Sequence, residues 1–437
     1  MKLSIKNFAK IKEADIIIDG ITVIAGENNT GKSTVGKILF SLFNSLSDID
    51  EKILEERFKE IEKTNVAIIR NYVDSVEVPR NVVGRNVLNI VRKINIQLVQ
   101  QLNEEVLVSD ERIYFIVENT IRNWQGAVQF LEIHDSSVMI DEICKNIGEI
   151  LNLPEEKIIS EIISRYFNEV FHSQIQSLAE KESSEAVLTL EIKEKREKLL
   201  FENNYCKELV DKINIIHKAI YIDNPFIVDE LSKYNDLNPM NKLLKDLLTS
   251  ESKDGILDGV IETVRAKEKL ANIYESLQNV VDGEIVIDQN DEFYLKCSGF
   301  DEPISFQNLS TGMKSFVILK MLLEKGCLKN KDVVILDEPE IHLHPQWQIA
   351  YAELIVLLQK QFELSVVVTT HSPYFVDAIN LYSCKYGSDN RVNYYLSSNI
   401  ENTVKMECVT GKIDLIYKKM ASPIQMLDTL RYELNNK

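Results

Sequence analysis

The chain has 437 residues, 45% of them hydrophobic and 27% charged, a globular mix that excludes a largely disordered chain. Its 50 Lys and Arg stand against 68 Asp and Glu, for a net charge of −18. That excludes a general polyanion binder and requires any nucleic-acid contact to be local. Length alone suggests about three domain-sized units.

No apolar run approaches the roughly 20 residues of a membrane span, and Met1 to Lys6 has no signal-peptide core. The six cysteines never form a CxxC pair, so a disulfide scaffold or zinc ribbon is not expected. A cytoplasmic protein with reduced thiols is the expectation.

In chain order, Leu3 to Phe8 and Ala14 to Ile18 read as strands, Asp19-Gly20 as a turn, and Ile21 to Ala25 as an apolar strand. A glycine-rich loop follows, then a helix from near Lys32 to Asn44 with Val35, Ile38, Leu39 and Leu42 at helical spacing. Residues 48–185 turn rich in Glu, Lys, Ile and Leu. Val87, Val91, Ile94, Leu98 and Leu102 share one helical face, and Ile113, Val117, Ile121, Trp124 and Val128 another. Pro79 and Pro154 interrupt the run, so it reads as a multi-helix insertion, either a folded-back arm or a plain helical domain.

A β-hairpin is predicted over residues 187–203 and a buried strand over Ala219 to Ile222. Residues 241–280 return to helix, with the stripe Ile256, Val260, Val264, Leu270, Ile273 and Leu277. A hairpin follows at Gly283 to Ile287 and Phe293 to Lys296. Thr311 to Leu323 reads as helix, Val333 to Leu336 as strand, Gln346 to Phe362 as helix and Ser365 to Thr369 as strand. Two strands (Val392 to Leu396, Thr403 to Cys408) and a helix from Pro423 close the chain. Wholly apolar strands alternating with helices indicate a parallel sheet buried on both faces.

Four motifs carry chemistry. Gly26-Glu27-Asn28-Asn29-Thr30-Gly31-Lys32-Ser33-Thr34 fits G-x-x-x-x-G-K-[ST] between a strand and a helix. The glycines let backbone N–H groups face phosphate oxygens at a helix N-terminus. Lys32 suits the β- and γ-phosphates, and the Ser33 hydroxyl suits Mg²⁺. Val333 to Glu338 is an apolar strand ending in two acids, with Asp337 placed for Mg²⁺ and Glu338 for the attacking water. Leu309-Ser310-Thr311-Gly312-Met313-Lys314-Ser315 opens a helix, and Thr369-Thr370-His371-Ser372-Pro373 follows a buried strand.

In this order the motifs resemble those of the ABC-type ATPases: Walker A, signature, Walker B and switch histidine. The resemblance implies that Ser310 and Gly312 of one subunit cap the γ-phosphate held by another, and that His371 contacts that phosphate. It departs at Thr311 and Met313, where the family has glycine and glutamine. The long insertion between Walker A and signature resembles the SMC, RecF and OLD group. The string Glu338-Pro339-Glu340-Ile341-His342-Leu343-His344-Pro345 is similar to that of OLD-like ATPases of bacterial anti-phage defence. His342 and His344 then replace the D-loop, with a dimer-interface role rather than metal binding.

Only residues 372–437 follow His371, too few for the nuclease domain of the OLD nucleases. The implied protein is therefore a stand-alone ATPase, as in the Septu and PARIS systems. No glutamine marks a Q-loop, and Asp223 or Asn224 holds that place.

The expected fold is α/β, a P-loop ABC-type ATPase head with a mostly parallel sheet, an antiparallel β subdomain and a large α-helical insertion. The head comprises residues 1–47, 186–240 and 281–437, and the insertion comprises 48–185 with 241–280. The expected function is ATP binding and hydrolysis in a head-to-tail homodimer or higher homo-oligomer. It would act as sensor or scaffold for a separate nuclease or toxin effector, with Mg²⁺ as cofactor and no membrane. A RecF- or SMC-like ATPase that clamps DNA directly is the alternative, and DNA and phage protein stay open as further partners.

Overall fold

The computed structural model describes residues 1–75, 87–104, 108–124, 136–177, 185–209, 215–233, 235–250, 270 and 273–435. The chain divides into two compact units, residues 1–47 with 160–437, and residues 48–159.

The first unit opens with β1 (Lys2–Phe8), β2 (Ile11–Ile17), β3 (Ile21–Gly26) and α1 (Lys32–Leu46). The second holds α2 (Ile49–Ser75), α3 (Val87–Glu104), α4 (Asp110–Arg122) and α5 (Ser137–Leu151), and the unit boundary falls within α6 (Glu155–Phe171). The chain continues with β4 (Ala186–Ile192), β5 (Lys195–Glu202), β6 (Tyr205–Leu209), β7 (Ala219–Ile222) and α7 (Pro239–Thr249). Next come β8 (Glu284–Ile287), β9 (Phe293–Lys296), β10 (Ile304–Ser305), α8 (Thr311–Glu324), β11 (Val333–Asp337) and α9 (Pro345–Phe362). It ends with β12 (Ser365–Thr370), α10 (Pro373–Tyr386), β13 (Val392–Ile400), β14 (Thr403–Cys408), α11 (Asp414–Met420) and α12 (Ser422–Asn435).

Among the described residues, eleven strands form one sheet in the order β6-β5-β4-β1-β2-β14-β13-β3-β12-β11-β7. From β13 to β7 every pairing is parallel. From β6 to β2 every pairing is antiparallel. β14 joins the halves, antiparallel to β13 and parallel to β2. The antiparallel strands β6 to β2 are thus continuous with the parallel ones, and β8, β9 and β10 form a separate three-stranded antiparallel sheet.

The parallel strands bury both faces, as wholly apolar strands must. Val23, Val334, Leu336, Val366 and Val368 join the core that α8, α9 and α10 cover. On the other face α1 comes so close that a Cβ on Gly36 would lie 2.7 Å from Ile335 Cγ2 and 3.1 Å from the Tyr221 ring.

The second unit has its own core. Val87, Val91, Ile94 and Leu98 of α3 pack with Ile113, Val117, Ile121 and Trp124 and with Ile143 and Ile147 of α5. These are the faces that helical spacing marks out; Pro79 and Val128 lie outside the described residues.

Two boundaries differ from the sequence reading. The insertion was expected to run to residue 185, but the second unit ends at Ile159. The reason is aromatic packing: Phe167 of α6 sits 6.0 Å from Phe8 and 4.8 Å from Phe201, both in the sheet half of the first unit. Residues 241–280 were also expected in the insertion. Instead Leu244, Leu248, Leu270, Ile273 and Leu277 bury in the core of the first unit. Ile256, Val260 and Val264 lie outside the described residues.

Candidate nucleotide site

The sharp turn after β3 depends on glycine at two points. A Cβ on Gly26 would meet the Ser397 carbonyl oxygen at 2.5 Å, where β13 runs alongside. Gly31 sits at φ 70°, left-handed, and caps α1. Asn29 is also left-handed, at φ 63°, a region that Asn tolerates better than most residues. The Thr30 hydroxyl donates to the Glu27 carbonyl at 2.7 Å, and the Ser397 hydroxyl donates to the Thr30 carbonyl. The loop is therefore held from inside and from β13, with Asn28 exposed at its tip.

The Lys32 ammonium is only 3% exposed. It donates to the carbonyls of Gly26 at 3.1 Å and Glu27 at 2.8 Å, and lies 3.6 Å from Glu338 Oε1. Lys32, Ser33 and Thr34 border a cavity of about 370 Å³.

Asp337 ends β11, next to Glu338 and bonded to Ser33, both of which line this cavity. Ser33 donates to its Oδ1 at 2.9 Å, Thr369 donates to the same oxygen, and Tyr221 donates to Oδ2 at 2.6 Å. Burial, and then the charge of Asp337, push the Tyr221 hydroxyl well above its ordinary value, so it stays a donor. The next residue, Glu338, sits at φ 51°, a conformation that costs a non-glycine residue free energy and gathers at functional sites. Its N–H is fixed by the Thr369 carbonyl at 3.0 Å and the Thr369 hydroxyl at 3.1 Å.

His371 follows β12, its Nδ1 3.7 Å from Glu338 Oε1 and 3.5 Å from Glu340 Oε1. Glu340 is buried, and its Oε1 accepts from the Thr370 hydroxyl at 2.6 Å and the His371 N–H at 2.8 Å. Burial pushes the Glu340 carboxyl above the usual range. The strand ends thus bring together Lys32, Ser33, Asp337, Glu338 and His371 from sequence positions far apart.

The signature residues stand elsewhere. Ser310 is exposed and caps α8, its hydroxyl accepting from the Met313 N–H at 3.4 Å. Gly312 is buried where a Cβ would meet the Trp347 ring at 2.8 Å and the His342 carbonyl at 3.1 Å. Neither residue borders the cavity.

In the Q-loop place, burial and then the charge of Asp337 raise the Asp223 carboxyl. Asn224 accepts from the Phe226 N–H at 2.9 Å and so caps a short 3-10 turn. His344 caps α9, and the His342 ring packs edge-on to Phe226 at 5.7 Å. No cluster of metal-ligand side chains occurs among the described residues.

Residues 1–376 match the AAA ATPase domain family. The chain belongs to the AAA ATPase domain family. Two curated relatives are Septu protein PtuA of Bacillus thuringiensis and of Bacillus mycoides. The first is 33% identical over 103 residues, 21% of this chain and 25% of the relative. The second is 28% identical over 114 residues, 24% of this chain and 16% of the relative. The match therefore spans a quarter or less of either relative's length.

Among solved structures, the SMC head bound to the C-winged helix domain of ScpA has a TM-score of 0.40 at 13% identity, covering 93% of this chain and 97% of that one. The SMC head domain from Thermotoga maritima has a TM-score of 0.37 at 10% identity, covering 93% and 98%. The recognition made on the motifs, an ABC-type ATPase of the OLD, SMC and RecF group, agrees with the family. No described helix of this AAA ATPase domain is long and apolar enough to cross a membrane.

Two residues around Asp337 escape the sequence reading of the AAA ATPase domain. Tyr221 reads only as part of a buried strand, and its hydroxyl is the one signal against a purely apolar role. Thr369 stands in the histidine motif, but nothing in the spacing points it toward Asp337.

Proposed function

We propose that the chain binds and hydrolyses ATP. The carrying observation is the convergence of Lys32, Ser33, Asp337, Glu338 and His371 at the carboxyl ends of parallel strands, where α/β sheets bind ligands. The loop of Gly26, Asn28, Asn29, Thr30, Gly31 and Thr34 cradles phosphates with its N–H groups. Lys32 moves from its carbonyl partners to the β- and γ-phosphates. Ser33 and Asp337 offer hard oxygen donors 2.9 Å apart, a set that suits Mg²⁺. Ser33 and Asp337 would hold Mg²⁺ there, and the ion would supply positive charge to the phosphate oxygens. Glu338 orients the attacking water and takes its proton, and His371 contacts the γ-phosphate.

Ser310 is exposed at a helix N-terminus and does not border the cavity. This supports a head-to-tail homodimer in which each copy supplies Ser310 and Gly312 to the other's nucleotide. The Septu likeness supports a place in bacterial anti-phage defence, with ATP-driven opening of the dimer regulating a separate nuclease or toxin. Such a protein works in the cytoplasm.

Steady-state ATP hydrolysis tests the chemistry. Lys32→Ala abolishes binding, whereas Glu338→Gln keeps binding and lowers turnover about 100-fold or more. With ATP, Glu338→Gln doubles its mass in light scattering and retains the effector in a pull-down from the native host read by mass spectrometry. Equal turnover in the native chain and Glu338→Gln sinks the hydrolysis reading. A pull-down that retains salt-resistant DNA and no effector replaces the effector role by a DNA clamp.

A further inference from the structure

The phosphate loop borders only part of the 370 Å³ cavity. The lining also includes Ala9 and Lys10 of the β1–β2 turn, Phe171 at the end of α6, and His172 and Gln174 in the corner that follows. That corner is a built wall. The Ala9 N–H donates to the Ile175 carbonyl at 2.9 Å, and Phe8 bridges Gln176. The Ile175 and Gln176 N–H groups donate to Asn204 Oδ1 at 3.1 and 3.4 Å.

The Phe171 ring is fixed edge-on to Phe8 at 4.9 Å and stacked on Phe167 at 6.0 Å. Lys10 closes the gap to the phosphate loop by donating to Asn29 Oδ1 at 2.7 Å. Two consecutive left-handed residues, His172 at φ 49° and Ser173 at φ 59°, turn the chain at the cavity edge. The result is an exposed imidazole beside a partly buried phenyl ring, with an amide next to them.

A triphosphate held by Lys32 leaves its nucleoside to be placed by the rest of the lining. Flat π faces bind nucleobases by stacking, and an amide can pair with a base edge. We propose that Phe171, His172 and Gln174, closed by Lys10, form the nucleobase subsite and stack a purine ring against His172. The proposal rests on the reading of the cavity as a nucleotide site and adds the residues that grip the base. None of them lies in a motif of the sequence.

Calorimetric titration of the full chain with Mg²⁺ and three probes, ATP, GTP and inorganic tripolyphosphate, tests it. His172→Asn keeps a residue suited to the left-handed backbone and removes the stacking face. It raises the Kd of ATP about tenfold, the scale of one base–aromatic contact, and leaves tripolyphosphate unchanged. His172→Phe restores ATP binding. Equal losses for ATP and tripolyphosphate, or no loss for either, overturn the base subsite. GTP binding as tightly as ATP, with the same His172 dependence, supports a stacking subsite that does not discriminate between purines. A native chain that binds neither ATP nor tripolyphosphate overturns the nucleotide reading itself.

Discussion

Asp337 draws three hydroxyl donors, from Ser33, Thr369 and Tyr221, onto one carboxylate. Tyr221→Phe keeps the ring that packs edge-on to Phe40 at 6.3 Å and deletes one charge-assisted bond. It lowers stability by about 1.5–3 kcal/mol in urea unfolding; an unchanged midpoint would show that the bond is not made. Glu340 carries a different penalty. Its folded pKa is raised by burial, so its cost is absent below the unfolded value, near 4.3. The cost grows as pH rises toward the folded value and is complete above it. Gln at this position cannot ionise. The stability of Glu340→Gln relative to the native chain therefore rises from pH 5 to pH 7.5, and a flat difference contradicts the raised pKa. Lys32, Ser33, Asp337 and Glu338 were legible because phosphate and Mg²⁺ chemistry fixes their residue types at short spacing. Tyr221 and His172 were not, since only folding brings β7 to Asp337 and the end of α6 to the β1–β2 turn.

The helix α8 joins two demands. Ser310 caps it and its first turn carries Gly312, which also allows Trp347 of α9 to lie against the backbone. Lys314, 3% exposed, makes a 2.6 Å ion pair with Asp229 and stands 5.2 Å from the Phe226 ring. The start of α8 is thereby tied to the segment just after Asp223 and Asn224. Gly312→Ala puts a methyl where the Trp347 ring stands, and that ring is itself packed 5.9 Å from Phe316. Overpacking here costs about 1–3 kcal/mol, with or without ATP. In a double-mutant cycle Gly312→Ala and Trp347→Leu couple by about 0.5–3 kcal/mol; additive losses would separate Gly312 from this packing. The strands and helices of the head were legible from period and apolar runs. β6, β10, α10 and α11 were not assigned. β6 is a short five-residue edge strand. α10 begins with a signal that was present, Ser372 as cap and Pro373 in the first turn, but the histidine motif absorbed those residues.

At the scale of the molecule, the two units have separate apolar cores, one around the parallel strands and one around α2 to α5. Multi-unit chains of this kind unfold in more than one step. Calorimetry should therefore resolve two transitions, and substitutions should sort between them. Ile143→Ala deletes a fully buried side chain of the second core and lowers only its transition, by the equivalent of about 2–5 kcal/mol. The proposed ATP and Mg²⁺ residues all belong to the first unit, so ATP with Mg²⁺ should raise only the other transition. At 100 times the Kd that stabilisation is about 2.7 kcal/mol, and Lys32→Ala removes it. A single transition that responds to both perturbations would mean that the helical unit melts with the head. ATP binding would then act on the stability of the whole chain rather than on one unit.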